Sequence, residues 1–261
     1  SISLVTGESP TVLLTGIGAA TAVLLLIFRD TILSVVASFQ IAANDLIKEG
    51  DWVEVPSYGA DGDVMNISLH TIKIQNWDKT IATIPTYALV SEAFNNWKGM
   101  EESGGRRIKR SINIDMQSVG FLKAEQIEKL RKFHLLKDYI TQKEKEIAQY
   151  NQSLKLEEDE VTNGRKMTNL GTFRAYIAAY LRTHPLINQE MTFLVRHLPP
   201  TSEGLPIEIY VFSADQVWAN YENIQADIMD HLLAVLPEFG LQVFQQPSGH
   251  DLERVRLSAG Q

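Results

Sequence analysis

Six histidines are the residues best equipped for metal or proton chemistry in this chain: His70, His134, His184, His197, His231 and His250. No two stand three or four apart, so no helix presents a pair of them to one metal ion. His184 and His197 flank an expected strand and read as surface or internally satisfied groups. Cysteine is absent, which excludes thiolate metal sites, cysteine nucleophiles and disulfides together. There is no glycine-rich phosphate loop and no Gly-x-Ser-x-Gly elbow. The carboxylates Glu157, Glu158, Asp159 and Glu160 run together in a pattern that usually marks a solvated loop. The sequence is therefore not read as an enzyme, and no cofactor or metal is expected.

Charge narrows the partners. The 261 residues carry a net charge of −8, which disfavours nucleic acid on the electrostatic term. RRIKRSINIDM is a basic stretch running into a strand, but no aromatic residues interleave it, so it reads as a solvated strand edge. With 44% hydrophobic and 21% charged residues the chain is ordinary folded protein. It opens on Ser1 and not on Met, so it is expected to be part of a longer protein.

One segment departs from that average. Thr11 to Phe28 reads TVLLTGIGAATAVLLLIF, with no charge. At 1.5 Å per residue this run makes a helix of about 27 Å, close to a bilayer core of about 30 Å. Pro10 suits its first turn. A signal peptide would need a basic stretch before the run and a small-residue cleavage site after it; SISLVTGESP and Arg29-Asp30 supply neither. A membrane helix is expected instead. Positive charge appears only after it, at Arg29 and Lys48, which puts the C-terminal bulk in the cytoplasm. Gly16 and Ala20, Gly18 and Ala22, and Ala19 and Val23 are small-residue pairs that let helices approach in lipid, and Leu24 to Ile27 form a bulkier collar. Two readings fit this composition: several copies of one helix around an axis, or a plain anchor rich in alanine.

The elements after it follow from periodicity. Ile32, Val35, Val36, Phe39, Ala43, Leu46 and Ile47 recur at helical steps, predicting an amphipathic helix that ends at Gly50, with a bend at Arg29-Asp30. From Trp52 the period shortens to two. Ile67 and Leu69 alternate, then Ile72 and Ile74, with a phase slip near His70-Thr71 that predicts a bulge or sharp bend. Asp78-Lys79 is a turn and IATIP a returning strand. A small, strongly curved sheet is expected.

The runs GDWVEV and GDVMNISLHTIKIQNWDKTIATIPTYALVSEAFNNW resemble the middle domain of the small-conductance mechanosensitive channel family. The shared pattern comprises Gly62, Val64 and Ile67, then Thr71, Asp78, Ile84-Pro85 and Asn96-Trp97, and upstream IGAATAV matches the family's pore helix. The resemblance covers about residues 15 to 97, and a long insertion further on makes it most similar to the bacterial miniconductance subgroup. It implies a homoheptameric channel of the bacterial inner membrane, opened by tension to release solutes in hypo-osmotic shock, with lipids and permeating ions as its partners. It makes Gly18, Ala19, Ala22 and Leu26 the pore-lining and gate residues, Arg29 and Asp30 the hinge and pore mouth, and Gly16 and Ala20 helix-packing residues. The family's hinge glycine falls on Asp30, its two gate leucines fall on Ala22 and Leu26, and its loop asparagine after Pro85 is Thr86.

Further on, Phe121 to Leu154 reads as helical, LEEDEVTNGRK as a loop and TFRAYIAAYLRTHP as a helix ended by Pro185. MTFLVRHLPP and IEIYVFSAD follow as strands, VWANYENIQADIMDHLLAVLPEFG as a helix and LQVFQQP as a last strand, an order of the ferredoxin-like kind. The expected architecture is thus a pore-lining transmembrane helix with a kinked amphipathic extension (1–50), a small curved Sm-like β domain (51–97), a ferredoxin-like cytoplasmic α/β domain with a helical insertion (98–250) and a tail (251–261) that pairs as a short strand. The alternative function is a membrane-anchored scaffold or binding module that does not conduct.

Overall fold

After Pro10, nothing up to Ala43 breaks helical hydrogen bonding: there is no further proline, and the only glycines are Gly16 and Gly18. The computed structural model, which describes residues 10–154 and 163–246, has a single helix α1 (Pro10–Ala43) of 34 residues there. It passes through Arg29 and Asp30 without a break, so the kinked extension expected at that pair is not found. Its end also differs from expectation. Asp45 takes the left-handed conformation (φ 50°), and the Leu46 amide donates to the Ile41 carbonyl at 3.1 Å, closing the last turn well before Gly50. Leu46 and Ile47 then turn into the sheet's core. The acidic run Glu157 to Glu160, His250 and the tail 251–261 lie outside the described residues.

The chain divides after Ser103 into two units. In the first, α1 is followed by β1 (Trp52–Val55), β2 (Ala60–Ile67), β3 (Thr71–Asn76), β4 (Ile81–Pro85), a short α2 (Ala88–Ser91), β5 (Asn95–Asn96) and α3 (Lys98–Ser103). The five strands form one antiparallel sheet in the order β4-β3-β2-β1-β5. Alternation sends Val53, Val55, Val64, Ile72, Ile74 and Ile84 to one side, all at most 2% exposed, where they build the core with Ile41 and Ile47. The phase slip at His70-Thr71 is the β2–β3 turn itself, not a bulge. The irregularity in pairing lies earlier, between Val64 and Asn66. The Asp78-Lys79 turn is as expected: Lys79 is left-handed (φ 72°), and the Asp78 carboxylate accepts from the Thr80 amide and hydroxyl.

The second unit holds β6 (Arg106–Ile114), α4 (Ala124–Arg131), α5 (Lys137–Ser153), α6 (Asn169–Thr183), β7 (Ile187–Asn188), β8 (Leu194–His197), β9 (Leu205–Ser213) and α7 (Trp218–Val235). β9 lies between β6 on one side and β7 and β8 on the other, all antiparallel. Of LQVFQQP, residues 241–246 are described and form no strand. Val243 makes one antiparallel bridge to Ile114, so this segment only brushes the free edge of β6. Ile108, Ile112, Ile207, Ile209 and Val211 bury one sheet face against Phe173, Ile177, Ile224, Ile228 and Leu232 of the helices.

Candidate pore helix and its seat on the β unit

Helical spacing decides which side chains of α1 act together. At roughly 100° per residue, Gly18, Ala19, Ala22, Leu26, Arg29 and Asp30 fall within an arc of roughly 120°, and Gly16 and Ala20 fall on the neighbouring face. All of these residues are exposed in the single chain. A Cβ added at Gly16 or Gly18 would meet nothing within 4 Å. Leu26, at 74%, is the most exposed large apolar side chain among the described residues. Within the span Leu14–Ala43, 18 successive residues reach a mean hydropathy of 2.0 with 11% of them buried, so α1 is long and apolar enough to cross a membrane. An apolar surface of this extent is stable against lipid or against copies of itself, not against water. Its hydroxyls suit that setting: Thr15 and Thr21 each donate to the carbonyl one turn back, at 2.8 Å, and leave no donor unpaired.

Length separates two functions along α1. Its 34 residues span about 51 Å, well beyond a hydrocarbon core of about 30 Å. The last third is where it packs on its own β unit. The buried side chains there are Ser34, Ala37 and Ile41, at 2–4% exposure. Ile32, Val36 and Phe39 point away and stay 47%, 49% and 72% exposed. The expected apolar face is thus not the one seated on the sheet. The small residues are, because they bring the helix backbone close to the β2–β3 turn. There the Ser38 hydroxyl, at 2.8 Å from the Ser34 carbonyl, also reaches the Leu69 carbonyl at 2.9 Å. That turn is held in its own right: the Thr86 hydroxyl donates to the Ser68 carbonyl (3.1 Å) and the Thr86 amide to the His70 carbonyl (3.0 Å). Thr86 is fully buried in this role.

The opposite end of the sheet is clamped by residues that spacing did not single out together. Trp52 stacks on Trp97 at 4.7 Å and meets Trp77 edge-on at 5.2 Å. Both the Trp52 and Trp77 indoles donate to one Asp61 oxygen, at 2.8 and 3.0 Å. Asn96 donates to the Leu46 carbonyl (3.1 Å) and the Asp51 carboxylate (3.0 Å), tying β5 to the connector below α1. In that connector the Asp45–Lys48 hydrogen bond, at 2.7 Å, holds the carboxyl below its usual range and the ammonium above its own. Ser34, Ala37 and Ser38 were missed as contact residues because large apolar side chains dominate any periodicity count. Their own signal was small residues at 34, 37 and 38 leading to Ile41, one face of a helix. Among the described residues, no group of three His, Asp or Glu is placed to hold a metal ion.

Residues 30–99 match the family model described as the β-domain of mechanosensitive ion channels. Over 90 residues the chain is 34% identical to the small-conductance mechanosensitive channel MscMJ of Methanocaldococcus jannaschii, a match covering 34% of this chain and 25% of that channel. The fold is similar to cryo-EM structures of Arabidopsis thaliana MSL1 (TM-score 0.63, 12% identity, 94% of this chain, 69% of that one). It is also similar to the closed-state crystal structure of Helicobacter pylori MscS (TM-score 0.57, 15% identity, 95% of this chain, 76% of that one).

Proposed function

By its β-domain this chain belongs to the small-conductance mechanosensitive channel family, and on that premise we propose that it is the pore-forming subunit of a channel opened by membrane tension. Seven copies of α1 encircle the pore. Gly18, Ala19, Ala22 and Leu26 line it, and Leu26 with Ala22 keeps the closed throat too dry for ions. Tension favours the state that occupies more membrane area, so it shifts the population toward the wider pore. The Gly16–Ala20 and Gly18–Ala22 faces let neighbouring helices slide. Arg29 and Asp30, repeated around the ring, set the charge of the pore mouth. The last third of α1 carries its motion to the β unit through Ser34, Ala37 and Ser38. The channel works in the bacterial inner membrane with its C-terminal units in the cytoplasm, releasing solutes during hypo-osmotic shock.

One observation carries this reading. An uncharged, small-residue helix face is wholly exposed in the single chain, and that helix continues without a break into the β-domain of a channel family. The strand order β4-β3-β2-β1-β5 behind a helix supports an Sm-like first unit. The order Val243-β6-β9-β8, all antiparallel, supports a ferredoxin-like second one. The helical insertion α4–α5 supports the miniconductance subgroup. The test is patch recording of the full-length protein in liposomes. Suction should evoke current, and Leu26→Ser should raise the resting leak by hydrating the closed throat. A protein that forms rings yet passes no current under suction is a scaffold, and an unchanged leak in Leu26→Ser removes the gate from that position.

A further inference from the structure

Basic residues and aromatic rings do not interleave along RRIKRSINIDM, but they do across the ladder. β9 lies between β6 and β8, and its alternate residues Ile207, Ile209 and Val211 turn into the helical core. The residues between them, Glu208, Tyr210 and Phe212, turn to the other face. Their cross-strand partners there include Arg107 and Lys109 of β6 and Arg196 of β8. The three cations are exposed and the two rings half-buried.

This face lacks an anion. Glu208, only 3% exposed, is held by Arg196 at 2.7 Å with Lys109 at 3.9 Å. Arg196 uses its Nε and one terminal nitrogen on that carboxylate, which leaves the other terminal nitrogen for a ligand. Among the described residues Arg107 is in no salt bridge. Three positive charges thus meet one negative. The rings add a second chemistry. Arg107 lies over Tyr210 at 5.8 Å from the ring centre, and Phe212 meets the same ring edge-on at 5.9 Å. A closed stack in the same unit is much tighter: Arg182 lies 3.8 Å from the Phe193 ring centre. A flat ring between Arg107 and Tyr210 needs about 7 Å, two contacts of about 3.5 Å each, so the gap has only to widen by about 1 Å to admit one. Guanidinium and phenol both stack on aromatic rings.

We propose that this sheet face binds a nucleoside polyphosphate, with its base between Arg107 and Tyr210 and its phosphates on Lys109 and Arg196. A nucleic-acid strand is not the occupant. A chain of net charge −8 repels a long polyanion, whereas three cations around one ring fit a single short anion. The site adds a soluble ligand to the second unit and does not depend on the channel reading.

The test is calorimetric titration of the full-length protein in detergent micelles, in magnesium-free buffer, with ATP and separately with inorganic triphosphate. ATP should bind saturably. Arg107→Gln with Lys109→Gln should weaken ATP by about tenfold or more, since charge-assisted hydrogen bonds to phosphate are lost. Arg107→Lys with Lys109→Arg, which keeps both charges, should retain most of the binding and shows that loss in the first pair is loss of charge. Tyr210→Leu should weaken ATP by about fivefold or more and leave triphosphate unchanged, because only the base stacks. No saturable ATP binding by the wild-type protein overturns the proposal, and so does an unchanged affinity in Arg107→Gln with Lys109→Gln. Equal effects of Tyr210→Leu on ATP and triphosphate overturn the nucleoside part and leave a plain anion face. Single-stranded RNA bound more tightly than ATP overturns the small ligand.

Discussion

At Gly62, in the middle of the β1–β2 pairing, the sheet leaves no room for a side chain: an added Cβ would overlap the Gln75 carbonyl oxygen of β3. The obstruction is backbone, which has no rotamer to move to. Gly62→Ala should therefore cost about 2–3 kcal/mol and lower the thermal midpoint of the first unit by about 10 °C. An unchanged midpoint would show that the strands slide apart at little cost. Gly62 is legible in the sequence as part of the family pattern, but the reason for it is not, because Gln75 lies thirteen residues away and meets it only across the ladder. The same holds for Asp61, whose carboxylate joins two tryptophans from β1 and the end of β3.

The element that carries most meaning is α1, and its two ends obey different rules. Toward the N-terminus its side chains are exposed in the single chain, so small residues spaced by four are informative by themselves. In the last third the partner is a specific turn, and close approach matters more than apolar area. Ala37, 2% exposed, packs there on the β unit. Ala37→Leu should force that third of the helix off its seat. Amide exchange over residues 31–43 should then speed up by about tenfold or more, the equivalent of losing one or two buried contacts. Exchange over 14–28 should be unaffected. Equal acceleration along all of α1 would mean that the seat does not stabilise the last third separately. The unbroken passage through Arg29 and Asp30 has the same logic: neither is a glycine or a proline, so helical geometry is the low-energy local choice.

At the scale of the whole molecule, acid should loosen the second unit. Burial holds His184 and His197 below their ordinary value of 6.5; Asp227 partly opposes this at His184, and Arg174 adds to it at His197. The unfolded chain then takes up protons at a higher pH than the folded one, so stability is full above about pH 6.5 and declines as pH falls below it. Denaturant midpoints of the second unit should drop between about pH 7.5 and pH 5.5, and His184→Gln with His197→Gln should flatten that drop. A slope unaltered by both substitutions would assign the acid sensitivity to other groups. The sequence by itself determined the apolar span, the alternation that builds β1 to β4, and most of the helices and strands of the second unit, though not β7 and not a last strand. These are properties of local period and composition, which act over a few residues. Only the tertiary structure decided that α1 is one helix seated by its small face and that Val243 touches β6 at a single bridge. Each of those depends on which distant segments share a surface, and contact free energies between segments far apart in the chain leave no periodic trace along it.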